Sequence, residues 1–280
     1  MDKKQLIDDL KNGFVSLSYT SLKEFSISPA AFIRYKLKER KETPAMAMGT
    51  AVHTLVFERD QFLQRYLIAP EANAATKQGK EDLRQFYKRA TGEDIESFTV
   101  ASLFESIKQQ TGFKILSYSD FEEAQRRADA VLANKAARYV LDRIGDVEQG
   151  VSLAIDDVPF TGFVDGLGDG LIVDLKNMTD ATTQKAARTI YQMRYDWQAF
   201  IYSQAIKAKE CFIIAVDGDL EVSTHCLSKN DLDNAEKQVR YYISQFKRAC
   251  FESEFNEAVW DMSQEFYLIN SNNENGINYL

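Results

Sequence analysis

The chain has 280 residues, 45% of them hydrophobic and 27% charged, with a net charge of −8. That length supports a full core. No apolar run nears the roughly 20 residues of a membrane span, and residues 1–6 lack the apolar segment of a signal peptide, so membrane association is not expected. The three unevenly spaced cysteines (Cys211, Cys226, Cys250) read as reduced thiols of a cytosolic protein. The acidic balance argues against nucleic-acid binding by the surface as a whole, but converging cations can override it locally. Arg34, Lys36, Lys38, Arg40 and Lys41 form one basic cluster, and Lys185, Arg188 and Arg194 another.

In chain order, residues 1–41 read as helical. Leu6, Leu10 and Phe14 recur every four residues, a second helix starts near Ser18-Tyr19-Thr20, and Ser28-Pro29 reads as an N-cap followed by proline at the first helical position. Residues 39–44 form a charged loop. Residues 46–57 are apolar on nearly every side, which predicts a buried helix. It carries His53 one turn after Gly49, where backbones can approach closely. Residues 70–80 read as a mobile loop, and helices fill 79–144 with breaks near Gly92 and Thr111-Gly112.

From Val147 the period changes. Val151, Leu153 and Ile155 alternate, Asp156-Asp157 makes a turn, and strands follow over 160–165 and 171–176, joined by a glycine-rich turn at 166–170. Residues 148–176 are therefore expected to form a three-stranded antiparallel meander. A helical stretch covers 180–209. Residues 211–216 and 221–226 then flank Asp217-Gly218-Asp219, a hairpin signature, and a long amphipathic helix spans 231–251. The tail, 263–280, is expected to be loose or held by a partner. The order predicts an α/β (α+β) fold with a mixed central sheet flanked by helices. It is expected as one domain, with a mainly helical part (1–145) carrying His53 and a sheet core (146–262) carrying the chemistry.

The most informative stretch is Thr161-Gly162-Phe163-Val164-Asp165, followed by Asp174-Leu175-Lys176. Phosphodiester hydrolysis needs activated water, charge neutralisation at phosphorus and help for the leaving oxygen. Mg²⁺ takes one or two carboxylates and leaves positions for water and phosphate. Asp165 and Asp174 suit that role if their strands are neighbours, and alternation puts Asp174 and Lys176 on one face. Lys176 then points at the water or the scissile phosphate, and a pKa lowered by a bound cation and an apolar wall would let it position or deprotonate that water. Taken alone, a D-x-K triplet is more often a strand-end salt bridge. By itself His53 would be a hydrogen-bonded core histidine, and His225, in an alternating strand, is read as structural. Gln198 and Tyr202 share one helix face as i and i+4.

Together these residues resemble the PD-(D/E)xK nuclease superfamily, most closely its phage and prophage exonuclease branch, the RecE-type (exonuclease VIII) domain. RecB-type domains are more distant. Residues 18–30 resemble the opening helices of that branch. Met48-Gly49-Thr50-Ala51-Val52-His53 resembles its G-T-A-x-H helix, which implies His53 as the active-site histidine. Thr76-Lys77-Gln78-Gly79-Lys80 resembles its T-K-x-G-K loop, which implies a phosphate contact by Lys80. Arg194 is the second DNA-contact candidate. Gly162-Phe163-Val164-Asp165 and Asp174-Leu175-Lys176 match its second and third motifs, and residues 195–202 resemble the Q-x-x-x-Y helix that follows. Glu148, at the start of the first strand, fills the first-motif acid position.

The resemblance implies a restriction-endonuclease-like core and Mg²⁺ (or Mn²⁺) bound by Asp165, Asp174 and the Leu175 carbonyl, with His53 and Glu148 completing or supporting the site. Lys176 would be catalytic, with Gln198 and Tyr202 positioning it or the phosphate. The implied activity is an exodeoxyribonuclease that degrades linear double-stranded DNA from an end, 5′ to 3′, in phage-type recombination in the cytoplasm of a bacterial host. Implied partners are DNA ends, a single-strand annealing protein and further copies in a ring, whose channel alone need be basic. An iron–sulfur cluster is rejected, because it would need four cysteines. Two alternatives remain: an endonuclease or repair nuclease with the same site, and a non-catalytic DNA-binding module. No P-loop or dinucleotide fingerprint supports a small-molecule enzyme.

Overall fold

The computed structural model describes residues 2–39 and 41–252; the expected tail, 263–280, lies outside them. Three short helices open the chain: α1 (Lys3–Lys11), α2 (Tyr19–Ile27) and α3 (Pro29–Leu37). Ser18 accepts the Ser21 N–H while the Ser21 hydroxyl accepts the Ser18 N–H, a reciprocal cap, and Ser28 caps α3 ahead of Pro29. The Leu6, Leu10, Phe14 period is cut short. Gly13, at φ +71°, turns the chain after α1 and leaves Phe14 exposed.

Helix α4 (Pro44–Phe57) buries Ala51, Val52, Thr54 and Leu55, all in its second half. The expected all-round burial is therefore corrected. The first half stays exposed or half-buried despite its apolar composition, with Met46 54% exposed. A Cβ at Gly49 would meet only an ordinary contact with Asn177, so crowding does not demand glycine there.

Beyond α5 (Phe62–Arg65) come β1 (Tyr66–Ala69), α6 (Lys77–Thr91), α7 (Val100–Thr111), β2 (Lys114–Ser117), α8 (Tyr118–Ala133) and α9 (Lys135–Leu141). Gly92 and Gly112 end α6 and α7 at φ +78° and +75°, at the predicted breaks. The parallel pair β1–β2 was not expected; four-residue strands hold too few alternations to give a signal. The loop expected over 70–80 is shorter. It ends at Thr76, which caps α6 by accepting the Gly79 N–H, so Lys80 stands in a helical turn. A Cβ at Gly79 would overlap the Asn73 backbone, so the loop folds onto the helix only with glycine there.

The main sheet has the order β3 (Ile144–Ile155), β4 (Val158–Gly168), β5 (Leu171–Asn177), β6 (Glu210–Val216), β7 (Val222–Cys226). The β3–β4–β5 meander and the β6–β7 hairpin are antiparallel, as predicted. Strands β5 and β6 run parallel, because α10 (Thr183–Gln192) and α11 (Tyr195–Ile206) supply the long crossover such a pair needs. The helical stretch expected over 180–209 is thus split, at Arg194, which takes φ +59°. Helix α12 (Lys229–Glu252) follows the sheet.

Alternation on β5 and β6 sorts the core into two layers. Ile172, Ile213 and Ala215 pack with Trp197 and Phe200 of α11 and Val239 and Ile243 of α12. Leu171, Val173, Leu175 and Ile214 pack with Val52 and Leu55 of α4 and Ala124, Ala128 and Val131 of α8. A smaller cluster around Leu83, Phe86, Leu103 and Ile107 joins α6 and α7 to β1 and β2.

Candidate active site

Because Leu171, Val173 and Leu175 fill the α4 side of β5, Asp174 and Lys176 take the side that α11 covers. The β4–β5 ladder ends with Gly166 opposite Val173. Beyond that pair the ladder stops, and Asp165 and Asp174 are the next residues on the two strands. There a side chain replaces the backbone bond: Asp165 Oδ2 accepts the Leu175 N–H at 2.8 Å. That satisfies an amide the ended ladder would leave unpaired.

On the other side of β4, Val147 faces Gly166 and Gln149 faces Val164, which sets Glu148 across from Asp165. Glu148 lies inside β3 rather than at its start, and it takes φ +51°, a left-handed conformation costly for a residue with a Cβ. His53 reaches both acids from α4: Nδ1 is 3.2 Å from Glu148 Oε1, and Nε2 is 3.4 Å from Asp165 Oδ1.

Lys176 Nζ donates to Asp174 Oδ1 at 2.8 Å and stands 2.7 Å from Oδ2. From α11, Gln198 Nε2 donates to the same Oδ1 at 2.9 Å. The Tyr195 ring centroid lies 4.6 Å from Lys176 Nζ, and Tyr19 meets Tyr195 edge-on at 6.4 Å. These two tyrosines box in the lysine, and the sequence reading gave neither a role. The available signal for Tyr195 was its i, i+3 spacing to Gln198.

The electrostatics follow from burial and pairing. Burial pushes the Asp174 carboxyl up; Lys176 opposes this and Asp165 adds to it, leaving it raised. For Asp165 burial also pushes up, but His53, Lys176 and the Leu175 N–H outweigh it. Burial draws Lys176 down, yet Asp174 and Asp165 carry it above the usual lysine value. Two carboxylates stabilise the ammonium, whereas the lowering expected for Lys176 is that of a lysine beside a bound cation, which would offset their charge. For His53 burial draws down, and Asp165 and Glu148 more than reverse it. Burial pushes the Tyr19 phenol up to about 12.

Other candidates sit further from the carboxylates. The Tyr202 ring packs on Gly162, where a Cβ would run into it, rather than on Lys176. Arg194 donates to Gln238 Oε1 on α12 at 2.9 Å and stacks 4.9 Å from the Trp197 ring. Lys80 is exposed on α6, and among the described residues no ion pair links it to the carboxylates. His225 is structural as read: its Nε2 lies 2.9 Å from Ser223 Oγ.

Among the described residues, no three His, Cys, Asp or Glu side chains are placed together to hold a metal ion. An open site is a different matter. Asp165 and Asp174 are half-buried carboxylates that repel one another, and a hard divalent cation between them would relieve that repulsion. Buried Gln198 Oε1 and His53 Nε2 have no hydrogen-bond partner. Two carboxylates with spare oxygen and nitrogen donors nearby fit Mg²⁺ or Mn²⁺, which retain water and substrate oxygens.

No curated protein matches the sequence. Among solved structures, a candidate exonuclease of Eubacterium rectale is similar with a TM-score of 0.56 and 15% identity, over 89% of this chain and 87% of that one. At that identity the likeness shows a common fold. More distant are a phage-related exonuclease of Haemophilus somnus 129PT (TM-score 0.34, 13% identity, 78% of this chain and 99% of that one) and the alkaline exonuclease LHK-Exo of Laribacter hongkongensis (TM-score 0.29, 13% identity, 75% of this chain and 99% of that one). The family model of the PDDEXK-like domain of unknown function (DUF3799) matches residues 18–257, a span that takes in His53, Glu148, Asp165, Asp174, Lys176 and Gln198, and the chain belongs to that family.

Proposed function

We propose that this protein is a metal-dependent exodeoxyribonuclease that hydrolyses linear double-stranded DNA from its ends. The observation that carries the reading is the half-buried Asp165–Asp174–Lys176 group at the end of the β4–β5 ladder. A family of PDDEXK-like domains supports the same chemistry. Mg²⁺ or Mn²⁺ at Asp165 and Asp174, with the Leu175 carbonyl, His53 and Glu148 completing or supporting the site, would neutralise phosphate charge and ease ionisation of water.

The chain's own residues do the rest. The Leu175 N–H fixes one oxygen of Asp165, and Gln198 and Lys176 fix Asp174. Lys176, backed by Tyr195, orients the attacking water and faces a non-bridging phosphate oxygen. The water oxygen bonds to phosphorus as one ester P–O bond breaks, and the departing oxygen ends as a hydroxyl. Tyr202 keeps α11 seated on β4, so that Gln198 stays on Asp174. Lys80 and Arg194 contact DNA phosphates outside the reacting group. The 5′-to-3′ polarity, the ring, the annealing partner, the recombination role and the bacterial cytoplasm rest on the RecE-type resemblance.

The test is digestion of end-labelled linear duplex with Mg²⁺, beside a covalently closed circle and the Asp174→Ala protein. Loss of the linear DNA alone, absent in the variant, is expected. Cutting of the circle would replace this reading with an endonuclease or repair nuclease. No metal-dependent cleavage of either substrate would leave a non-catalytic DNA-binding module.

A further inference from the structure

Phe163 is 64% exposed, although Phe160 in the same strand is fully buried. One exposed apolar residue needs no explanation, but its position here has a consequence. Gly162 and Val164 turn toward α11, so Phe163 between them takes the opposite face of β4, the side from which His53 of α4 reaches Asp165, about 7 Å along the strand. Its partner across the ladder is Gly150, and a Cβ there would lie 3.6 Å from the Phe163 ring. Gly150 offers no side chain to cover the ring, which lies beside bare backbone. The opposite face of β4 is closed to it: Tyr202 packs on Gly162, and Phe160 and Val164 belong to the core. A rigid strand thus holds a flat apolar ring in the open, one step from the carboxylates.

We propose that Phe163 contacts the substrate directly, stacking on the base of the nucleotide adjacent to the scissile phosphate. The inference rests on the nuclease reading and names a specific contact within it. A nucleobase is favoured over a protein partner for two reasons. The ring stands beside groups suited to a phosphodiester, and one ring falls well short of the several hundred Å² of a protein-binding patch. Stacking also tolerates any base, which suits an enzyme that digests DNA without regard to sequence.

The experiment uses duplexes with 2-aminopurine at each of the first three positions from one end. Binding and fluorescence are read with Ca²⁺ in place of Mg²⁺, and cleavage with Mg²⁺, for wild type, Phe163→Ala and Phe163→Trp, with subunit number measured by light scattering. Wild type should quench the probe at one position. Phe163→Ala should lose that quench and weaken binding about tenfold, raising KM more than it lowers kcat, while Phe163→Trp keeps both. A wild type that cleaves DNA, with Phe163→Ala unchanged in quench and KM, overturns the contact and leaves the nuclease reading standing. Altered subunit number in Phe163→Ala, with the quench intact, overturns it in favour of a contact between copies. A wild type that neither binds nor cleaves DNA defeats the nuclease reading, and the contact with it.

Discussion

Half-buried Asp174 and buried Asp196 are both carboxylates with raised pKa values, but they differ in company. Asp174 has Lys176 and Gln198, whereas Asp196 Oδ1 is buried without a hydrogen-bond partner. Burial lifts Asp196 to about 6, with Arg194 opposing and Asp231 assisting; Tyr191 also lies within its field. An acid whose folded pKa exceeds its unfolded value binds its proton more tightly when folded. Its contribution is therefore most favourable below about pH 4 and is lost as pH climbs to about 6. Asp196→Asn should raise Tm at pH 7.5 by about 4–8 °C, the effect of roughly 2 kcal/mol, and change it little at pH 4. An unchanged Tm at pH 7.5 would mean that the turn at the start of α11 already satisfies the charge. Legibility in the sequence divides along similar lines. Asp165, Asp174 and Lys176 were readable because few other residue types can hold a cation and a phosphate. Tyr19 and Tyr195 were not, because an aromatic reads as core until a distant strand sets a lysine against it.

Among the contacts that seat helix α11 beside the site is Tyr202 on Gly162. A methyl group at position 162 would overlap the phenol, so Gly162→Ala must push α11 away from β4. Since α11 also carries Gln198, the displacement should reach Asp174. The expected cost is about 1–3 kcal/mol of stability, as for other overpacked cores, with cleavage reduced as well. Tyr202→Leu in the same chain should restore part of both, making the double variant less impaired than the sum of the two singles. Strict additivity in denaturant unfolding would show that the two positions do not share the strain. Legibility at this scale follows period and turn chemistry. The meander over β3–β5 and the hairpin β6–β7 announced themselves by alternation and by acidic or glycine turns. The break between α10 and α11 did not, because it falls on Arg194, whose side chain carries no signal for a left-handed backbone. Strands β1 and β2 were missed because their pairing depends on the packing of α6 and α7, not on their own pattern.

At the scale of the whole molecule, charge is the difficulty. On the proposed nuclease reading, a chain of net charge −8 places Glu148, Asp165 and Asp174 where DNA docks. Lys176 and His53 compensate only part of that, so the metal should govern affinity as well as chemistry. One unit charge at 4 Å is worth about 1 kcal/mol in water, roughly fivefold in binding. Stripping a divalent cation from the site should therefore weaken DNA binding about tenfold or more, and Ca²⁺ should restore it. The sign should then reverse in a carboxylate variant. In chelator, Asp174→Asn removes a repelling charge and should bind DNA severalfold more tightly than wild type. In Ca²⁺ it lacks a metal-holding group and should bind more weakly. Fluorescence anisotropy at fixed ionic strength checks both arms, because salt screens exposed charges and would blur the comparison. If wild type and variant kept the same order in both conditions, the carboxylates would not be where the cation and the phosphate meet, and the basic residues on α6 and α10 would have to carry the DNA without them.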